Sequence, residues 1–497
     1  MSKAPLLSNS TLDLLPMHVE RPNYDRSALR TGIVHFGVGA FHRSHQALAI
    51  DRLMNAGEAF DWAITGVGLM PADALLGERL LAQDCLYTLV EKHSNGHVET
   101  RVVGSIIDYK FAPENSSAVI ELLAHPDTKI VSLTITEGGY NFDPATLEFD
   151  SSNPLILADL AGLENPNTVF GYVTAGLKLR KERGIEPFSI MSCDNIASNG
   201  HIAHTMFTTF ATLADPELGA WIDTNVSFPN SMVDRITPVT TEADVHLVEE
   251  LTGLVDLCPV VGEPFFQWVL EDSFTLGRPD LDYADVQIVS DVEPYELMKL
   301  RLLNASHQGI AYFGYLCGYR FVHDATNDPA MVAMLNLYMN NEATPTLSPV
   351  PGIDLDAYKV ELISRFQNPE IKDTVLRLCA ESSDRIPKWL VPVVFAQLAA
   401  GRSVDVSAAI IASWARYAEG TDEQGNPIEV VDQLKGELVP IAQSQQQDPL
   451  AFIRVTKLFG NLAEIPEFSE PYVRALNSLW INGAAETMAE ISQFNHV

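Results

Sequence analysis

Through the first 290 residues, short apolar runs rich in β-branched and aromatic side chains alternate with stretches of helical periodicity. Gly32–Phe36, Trp62–Val67, Tyr87–Val90, Arg101–Ile107, Lys129–Thr136, Phe188–Ser192 and Cys258–Val261 read as strands. Phe41–Met54, Ser116–Ala124 and Thr168–Arg183 read as helices. Such alternation predicts an α/β fold with a mostly parallel, doubly wound sheet of Rossmann type. Beyond Pro294 the texture changes. Tyr295–Tyr319, Pro329–Met339, Asp356–Phe366, Ile371–Leu378, Val391–Ala400, Val406–Tyr417, Asp448–Phe459 and Pro471–Phe494 all carry helical spacing. A dinucleotide-binding domain over 1–290 followed by an all-α domain over 291–497 is the expected organisation, with Pro345–Gly352 as an internal loop and no repeats.

Composition narrows the class. The chain has 497 residues, 46% of them hydrophobic and 20% charged, as suits a water-soluble globular protein of two sizeable domains. No apolar run of membrane-spanning length occurs and Met1–Pro16 lacks the pattern of a signal peptide, so a cytoplasmic location is expected. Cys85, Cys193, Cys258, Cys317 and Cys379 are scattered and form no C-x-x-C pair, which predicts core thiols rather than disulfides or a zinc knuckle. A formal charge of −33, from 32 basic against 65 acidic residues, would repel a polyanion. It excludes nucleic acid as a natural partner and opposes self-association.

Candidate chemistry begins at Gly37-Val38-Gly39-Ala40-Phe41-His42-Arg43. A strand runs into a Gly-x-Gly turn and then a helix, the order a dinucleotide pyrophosphate needs: Gly37 for the tight turn, Gly39 for close backbone approach, and the helix start for N–H donors. His42 replaces the third glycine of the usual fingerprint, so the segment on its own equally suits an ordinary strand-to-helix turn. Three further strands end in polar residues: Thr134–Tyr140 with Thr136 and Glu137, Ser192–Asn195, and Gly66–Leu69 leading to Asp73. Ligands of open parallel sheets bind beyond such ends. Asp73 is placed to accept from the adenosine ribose hydroxyls and to repel a 2′-phosphate, which favours NAD over NADP. Asp194 and Asn195 suit either catalysis or a nucleotide-stabilising turn.

The segment Pro294–His307 sets polar groups into an apolar helix. On an α-helical wheel with Lys299 at zero, His307 falls at about 80° and Asn304 at about 140°, so the three share one side. Desolvation of Lys299 would lower its pKa and free the amine as a general base. Asn304 is then placed to donate to a developing oxyanion and His307 to bond a hydroxyl. A boundary helix with a snorkelling lysine and a satisfied core histidine would show the same pattern. His42-x-x-His45 and His201-x-x-His204 have helical metal-ligand spacing, but no further ligand follows at a recognisable distance, and no metal is expected. Two classes remain: a metal-independent dehydrogenase, and a dinucleotide-binding sensor without chemistry.

The segments Gly37–His45, Ser132–Tyr140, Met191–Asn195, Phe228–Pro238 and Lys299–His307, together with Tyr319–His323 and Pro349–Asp354, resemble the mannitol dehydrogenase family of polyol-specific long-chain dehydrogenases and reductases. The resemblance implies an NAD-dependent, metal-free interconversion of a polyol and a ketose, D-mannitol and D-fructose first. D-arabinitol, D-sorbitol and fructuronate are the alternatives. It also implies a monomer. It makes Lys299 the general base, Asn195 and Asn304 the pair that stabilises the alkoxide, His307 a binder of substrate hydroxyls and Glu296 a proton relay. Val233, Asp234 and Arg377 match polyol-site positions. Arg385 stands where relatives carry lysine, exchanging a point charge for a planar fork. Phe36 to Arg43, Asp73, Thr136 and Glu137 would hold the cofactor. Ala72 stands where some relatives have Glu, which leaves Asp73 as the carboxylate that excludes NADP.

Overall fold

Eleven strands and a succession of short helices follow one another in the computed structural model, which describes residues 4–143, 146 and 148–493. The strands are β1 Thr31–Phe36, β2 Ala63–Gly68, β3 Tyr87–Lys92, β4 Val98–Val103, β5 Ile106–Phe111, β6 Ile130–Leu133, β7 Ser189–Ser192, β8 Ser231–Asp234, β9 Val260–Gly262, β10 Gln267–Glu271 and β11 Val286–Val289. The chain divides into two units, Met1–Glu293 and Pro294–Val497.

The first unit is built on a five-stranded sheet in the order β5-β2-β1-β6-β7, every pair parallel. Alternate residues feed two cores. Ile33, Ile64, Ile130 and Met191 lie in one, Val34, Phe36, Val67, Val131, Leu133 and Ile190 in the other. Both faces are therefore covered, which is why the central strands read as short, mostly apolar runs rather than alternating ones. Two three-stranded sheets, β4-β3-β9 and β11-β10-β8, complete the unit.

Several predicted elements are interrupted, each for a visible reason. The single strand expected over Arg101–Ile107 is two, because the Gly104 amide leaves the ladder to donate to Asp51 Oδ1 at 2.8 Å and the Ser105 hydroxyl bonds the Ala47 carbonyl at 2.6 Å. The helix expected over Phe41–Met54 breaks at His45 (φ −119°, ψ −90°) into Ala40–Ser44 and Gln46–Asn55. There the imidazole stacks on Phe41 and Phe266 and bonds the Gln267 carbonyl at 3.0 Å. β8, β10 and β11 carry too little alternation to be read from sequence.

The second unit is helical. Its axis is Ala305–Leu316, ten of whose twelve residues are buried, flanked by the equally buried Asp405–Tyr417. Tyr312 stacks on Trp414 at 6.3 Å, and Trp414 meets Phe452 edge-on at 4.9 Å. The helix expected over Ile371–Leu378 is confined to Val375–Cys379. Asp448–Phe459 is two short turns, Phe452–Arg454 and Thr456–Phe459. The helix expected over Pro471–Phe494 is Pro466–Ile481 and Ala484–Ser492, separated at Gly483 with φ +84°, and Phe494 itself lies outside the described residues. No helix among the described residues is long and apolar enough to cross a membrane. Cys85, Cys193, Cys258 and Cys379 are buried, and burial pushes the Cys85 and Cys258 thiols up to about 12.

Candidate active site

Four of the sequence motifs arrive at one edge of the parallel sheet. Phe36 on β1 pairs with Val67 on β2 and with Leu133 on β6, and Leu133 pairs with Ser192 on β7. The carboxyl ends of these strands are thus level, and the loops at Gly37, Leu69, Thr134 and Cys193 open side by side. The chain leaves β1 toward β2 on one side and returns to β6 on the other, so β1 and β6 form the switch point at which open parallel sheets bind ligands.

Gly37 adopts φ +91°, and a Cβ there would stand 2.1 Å from the Thr134 carbonyl oxygen. No side chain is tolerated in that turn. Gly39 is different. A Cβ on it would meet nothing nearer than Gly37 O at 3.8 Å, and the residue is exposed. Internal packing therefore does not demand glycine at 39, while a ligand lying against the backbone would; the turn fits a dinucleotide pyrophosphate. Phe36 and Val38 are buried in the two cores, and Ala40 and Phe41 pack on the one that holds Val38. His42 is wholly buried and stacks on His35 with ring centroids 3.4 Å apart. Desolvation drives its pKa well below the ordinary 6.5, so the ring is neutral. The Arg43 guanidinium turns inward, bonding the carbonyls of Gly39 and Cys258. The side chains of His42 and Arg43, expected at the cofactor, thus support the turn from behind.

Asp73 lies in the first turn of Pro71–Ala82, where its Oδ2 accepts from the Leu69 and Met70 amides at 2.9 and 2.8 Å. This fixes the carboxylate just past β2. Thr136 and Glu137 are exposed in the one-turn helix Thr136–Gly139 that follows β6, Thr136 with φ +61°. That strained conformation is held by Asp194, whose carboxylate accepts from the Ile135 amide at 3.1 Å, the Thr136 amide at 2.8 Å and the Tyr140 hydroxyl at 2.8 Å. Burial pushes the Asp194 carboxyl up to about 6. Asn195, next in the chain, is exposed at the same edge. Asn199 clamps this loop to β8: its amide donates to the Asp194 and Ser231 carbonyls at 3.0 and 2.8 Å, and its oxygen accepts from the Ser231 amide at 2.9 Å. Val233 and Asp234, on the same β8, are both buried. Arg235 follows, its side chain bonded to the Glu263 and Ser44 carbonyls and to Glu91. Asp194, Asn199 and Arg235 thus order the edge. In the sequence the Asp-Asn pair ending a strand marks Asp194, and Arg235 falls within the Phe228–Pro238 motif, while nothing marks Asn199.

In the second unit Glu293–Met298 continues into a π-helical stretch, Lys299–Asn304, before Ala305–Leu316 begins. The Ala305 amide bonds the Leu300 carbonyl, five residues back. At roughly 82° per residue for an i to i+5 turn, Asn304 lies about 50° from Lys299 and His307 almost directly above it. The α-helical wheel, which set Asn304 at about 140°, is corrected by this wider turn. Lys299 is 7% exposed, Glu296 9% and Asn304 3%. The Asn304 Nδ2 is buried with no hydrogen-bond partner among the described residues, a donor whose desolvation is uncompensated. His307 is half-buried, its ring 4.9 Å from that of Phe366. The stretch is braced by a second π turn, Tyr338–Ala343, whose Tyr338 hydroxyl donates to the Arg301 carbonyl at 3.0 Å. Arg377 makes a bidentate pair with Asp373, at 2.6 and 2.5 Å. Arg385 Nη1 bonds the carbonyls of Arg377 and Leu378 at 3.1 and 3.2 Å and so holds that segment.

The histidine pairs with helical spacing are committed elsewhere. His42 stacks on His35 and His45 bonds Gln267, while His201 lies 3.4 Å from the Asn230 amide and His204 pairs with Asp223 at 2.9 Å.

A parallel sheet with a glycine turn at its switch point, followed by a helical unit carrying a buried Lys and Asn and a half-buried His on one face, defines a two-domain dinucleotide-dependent dehydrogenase. The family models agree: the mannitol dehydrogenase Rossmann domain matches residues 31–283 and the mannitol dehydrogenase C-terminal domain residues 291–480. The chain belongs to the mannitol dehydrogenase family. It is 43% identical over 497 residues to mannitol dehydrogenase 2 of Saccharomyces cerevisiae, covering 98% of each chain. Against the mannitol 2-dehydrogenase of Aspergillus fumigatus it is 43% identical over 477 residues, 95% of each. Its structure is similar to Pseudomonas fluorescens mannitol 2-dehydrogenase in a ternary complex with NAD and D-mannitol (TM-score 0.88, 43% identity, 98% and 99% of the two chains). It is also similar to a substrate-free D-sorbitol dehydrogenase (TM-score 0.91, 37% identity, 97% and 100%).

Proposed function

We propose that this protein is an NAD-dependent polyol dehydrogenase that interconverts D-mannitol and D-fructose without a metal, with Lys299 as general base. The observation that carries the reading is the Asn304 amide, a buried donor with no partner on the same turn as a buried lysine. An oxygen that gains negative charge is the acceptor such a donor fits. NAD, held at the glycine turn and the Asp73 carboxylate, would supply the hydride acceptor. As the hydride leaves the carbinol carbon, the free amine of Lys299 takes the hydroxyl proton, and Glu296, one turn earlier, passes it to solvent. Asn195 and Asn304 donate to the alkoxide oxygen, and His307 orients a neighbouring hydroxyl. Val233, Asp234, Arg377 and Arg385 shape the polyol site, and Thr136 and Glu137 border the cofactor. Identity to the mannitol enzymes, at 43% against 37% for the sorbitol enzyme, sets mannitol first. The protein acts as a monomer, consistent with its acidic surface.

Lys299→Ala tests the assignment. Its kcat for mannitol oxidation should fall ~10²-fold to 10⁴-fold, the range of a lost general base, while NADH affinity holds. Native oxidation should decline as pH drops through the lysine's pKa and fructose reduction should persist there, because the two directions need opposite protonation states. Near-native kcat with an unchanged pH profile in the variant would remove Lys299 from the chemistry. A rate panel of mannitol, sorbitol, arabinitol and fructuronate with NAD and NADP ranks the substrates.

A further inference from the structure

The hairpin β3-β4 carries a cluster that polyol oxidation does not use. Its strands are joined through the five residues His93–His97, whose tip Ser94-Asn95-Gly96 has glycine at φ +80°, the chemistry hairpin turns favour. The His93 amide bonds the His97 carbonyl at 3.0 Å, the Gly96 amide bonds the His93 carbonyl at 3.0 Å, and the Asn95 side chain accepts from the His97 amide at 2.9 Å. The turn is therefore rigid, and it sets His93 and His97 opposite each other at the mouth of the ladder. Glu99, two residues beyond His97, shares their face because strand side chains alternate with period two.

The donor atoms converge. His93 Nε2 is 3.0 Å and His97 Nε2 3.7 Å from the same Glu99 Oε1, and the three ligand atoms lie within 4.8 Å of one another. Ligands at ~2.0–2.1 Å from a tetrahedral zinc stand about 3.3–3.4 Å apart, between the two measured distances. His93 Nε2 is buried and, although 3.0 Å from the carboxylate, makes no hydrogen bond. That is the off-line approach expected when two ligands aim at a third point rather than at each other. The cations nearby are taken: Arg101 pairs with Glu20 and Glu91, Arg235 with Glu91, and Lys92 with Asp244. Among the described residues, Glu99 has ion-pair contacts only with the two imidazoles.

We propose that His93, His97 and Glu99 form a binding site for a divalent first-row transition metal, with water completing the shell, that staples the hairpin and takes no part in the redox reaction. Two imidazoles and one carboxylate select zinc, nickel or copper over magnesium or calcium. An acidic surface further favours cation capture.

The test uses the untagged full-length protein, stripped with EDTA and titrated with ZnCl₂ by calorimetry, alongside His97→Ala and Glu99→Gln. The native protein should bind one zinc per chain at this site and its Tm should rise in zinc but not in magnesium. Each variant should bind that zinc at least 10-fold more weakly, as loss of one of three ligands requires, and lose the Tm shift. Mannitol oxidation by stripped and loaded protein should be equal. Absence of zinc uptake, or equal uptake by the native protein and both variants, would overturn the site. Loss of activity on stripping that zinc restores in the Glu99→Gln variant would place the metal elsewhere and overturn it too.

Discussion

Replacing Asp194 by asparagine removes a carboxylate that orders the sheet edge at the expense of its own solvation. Burial raises its pKa from an ordinary 3.8 to about 6 despite three hydrogen bonds to the charged form, so desolvation outweighs them. At 1.36 kcal/mol per pKa unit, ionising this group in the folded state costs roughly 3 kcal/mol more than in the unfolded chain. The folded-state pKa is the higher one, so Asp194's contribution is fully present below about 3.8 and is lost as pH rises through about 6. An amide at 194 does not titrate. The stability of the native protein minus that of Asp194→Asn, measured by urea unfolding at steps from pH 4 to 7.5, should therefore fall by about 2.4 kcal/mol across that window, the rest being lost below pH 4. Asp51, also raised to about 6, and Glu342, raised to about 7, are present in both proteins and cancel in the difference. A difference that is flat, or that grows with pH, would refute the claim that burial governs this carboxylate.

The two glycines of the turn should separate folding from binding. Gly37→Ala forces a side chain into a left-handed position and against Thr134 O, so it should destabilise by at least the ~1–2 kcal/mol that this backbone region costs an L-residue; an unchanged Tm would contradict the geometry. Gly39→Ala should keep its Tm and raise the Kd for NAD, and unchanged NAD affinity would mean that the backbone there does not meet the cofactor. Asp73→Ala should weaken NAD by about 1–3 kcal/mol, as for a lost hydrogen bond to a charged group, and raise the NADP to NAD ratio of kcat/KM; a constant ratio would move cofactor choice to another residue.

What could be read from the chain followed how locally each feature is determined. β1, β6 and β7 declare themselves because strands buried on both faces carry apolar residues on both, even with His35, Ser132 and Ser189 among them, and the turns at Gly37, Thr134 and Cys193 because Gly, Thr and Asp end them. The alternation of strands and helices in the first unit, and helices alone in the second, is legible for the same reason. The break at His45 is not, since a ring caught between Phe41 and Phe266 is a tertiary event. Nor were Asp194 and Asn199 visible as organisers of the edge, because their partners lie 58 and 32 positions away in the chain. Periodicity picks out Lys299, Asn304 and His307 as one face but sets their angles wrongly, because it assumes 3.6 residues per turn and has no means of announcing a wider one.

That wider turn makes the alignment of Lys299, Asn304 and His307 a matter of counting. A π turn is an α-helix that has accepted one extra residue, so excising a single residue such as Leu302 would let the helix relax to ordinary pitch and leave Asn304 about 40° from Lys299, within about 10° of where the π turn sets it. Substitutions can tune this face one side chain at a time and loss of the extra residue leaves it standing, whereas a further insertion or a second deletion between 299 and 304 would swing it by about 100°.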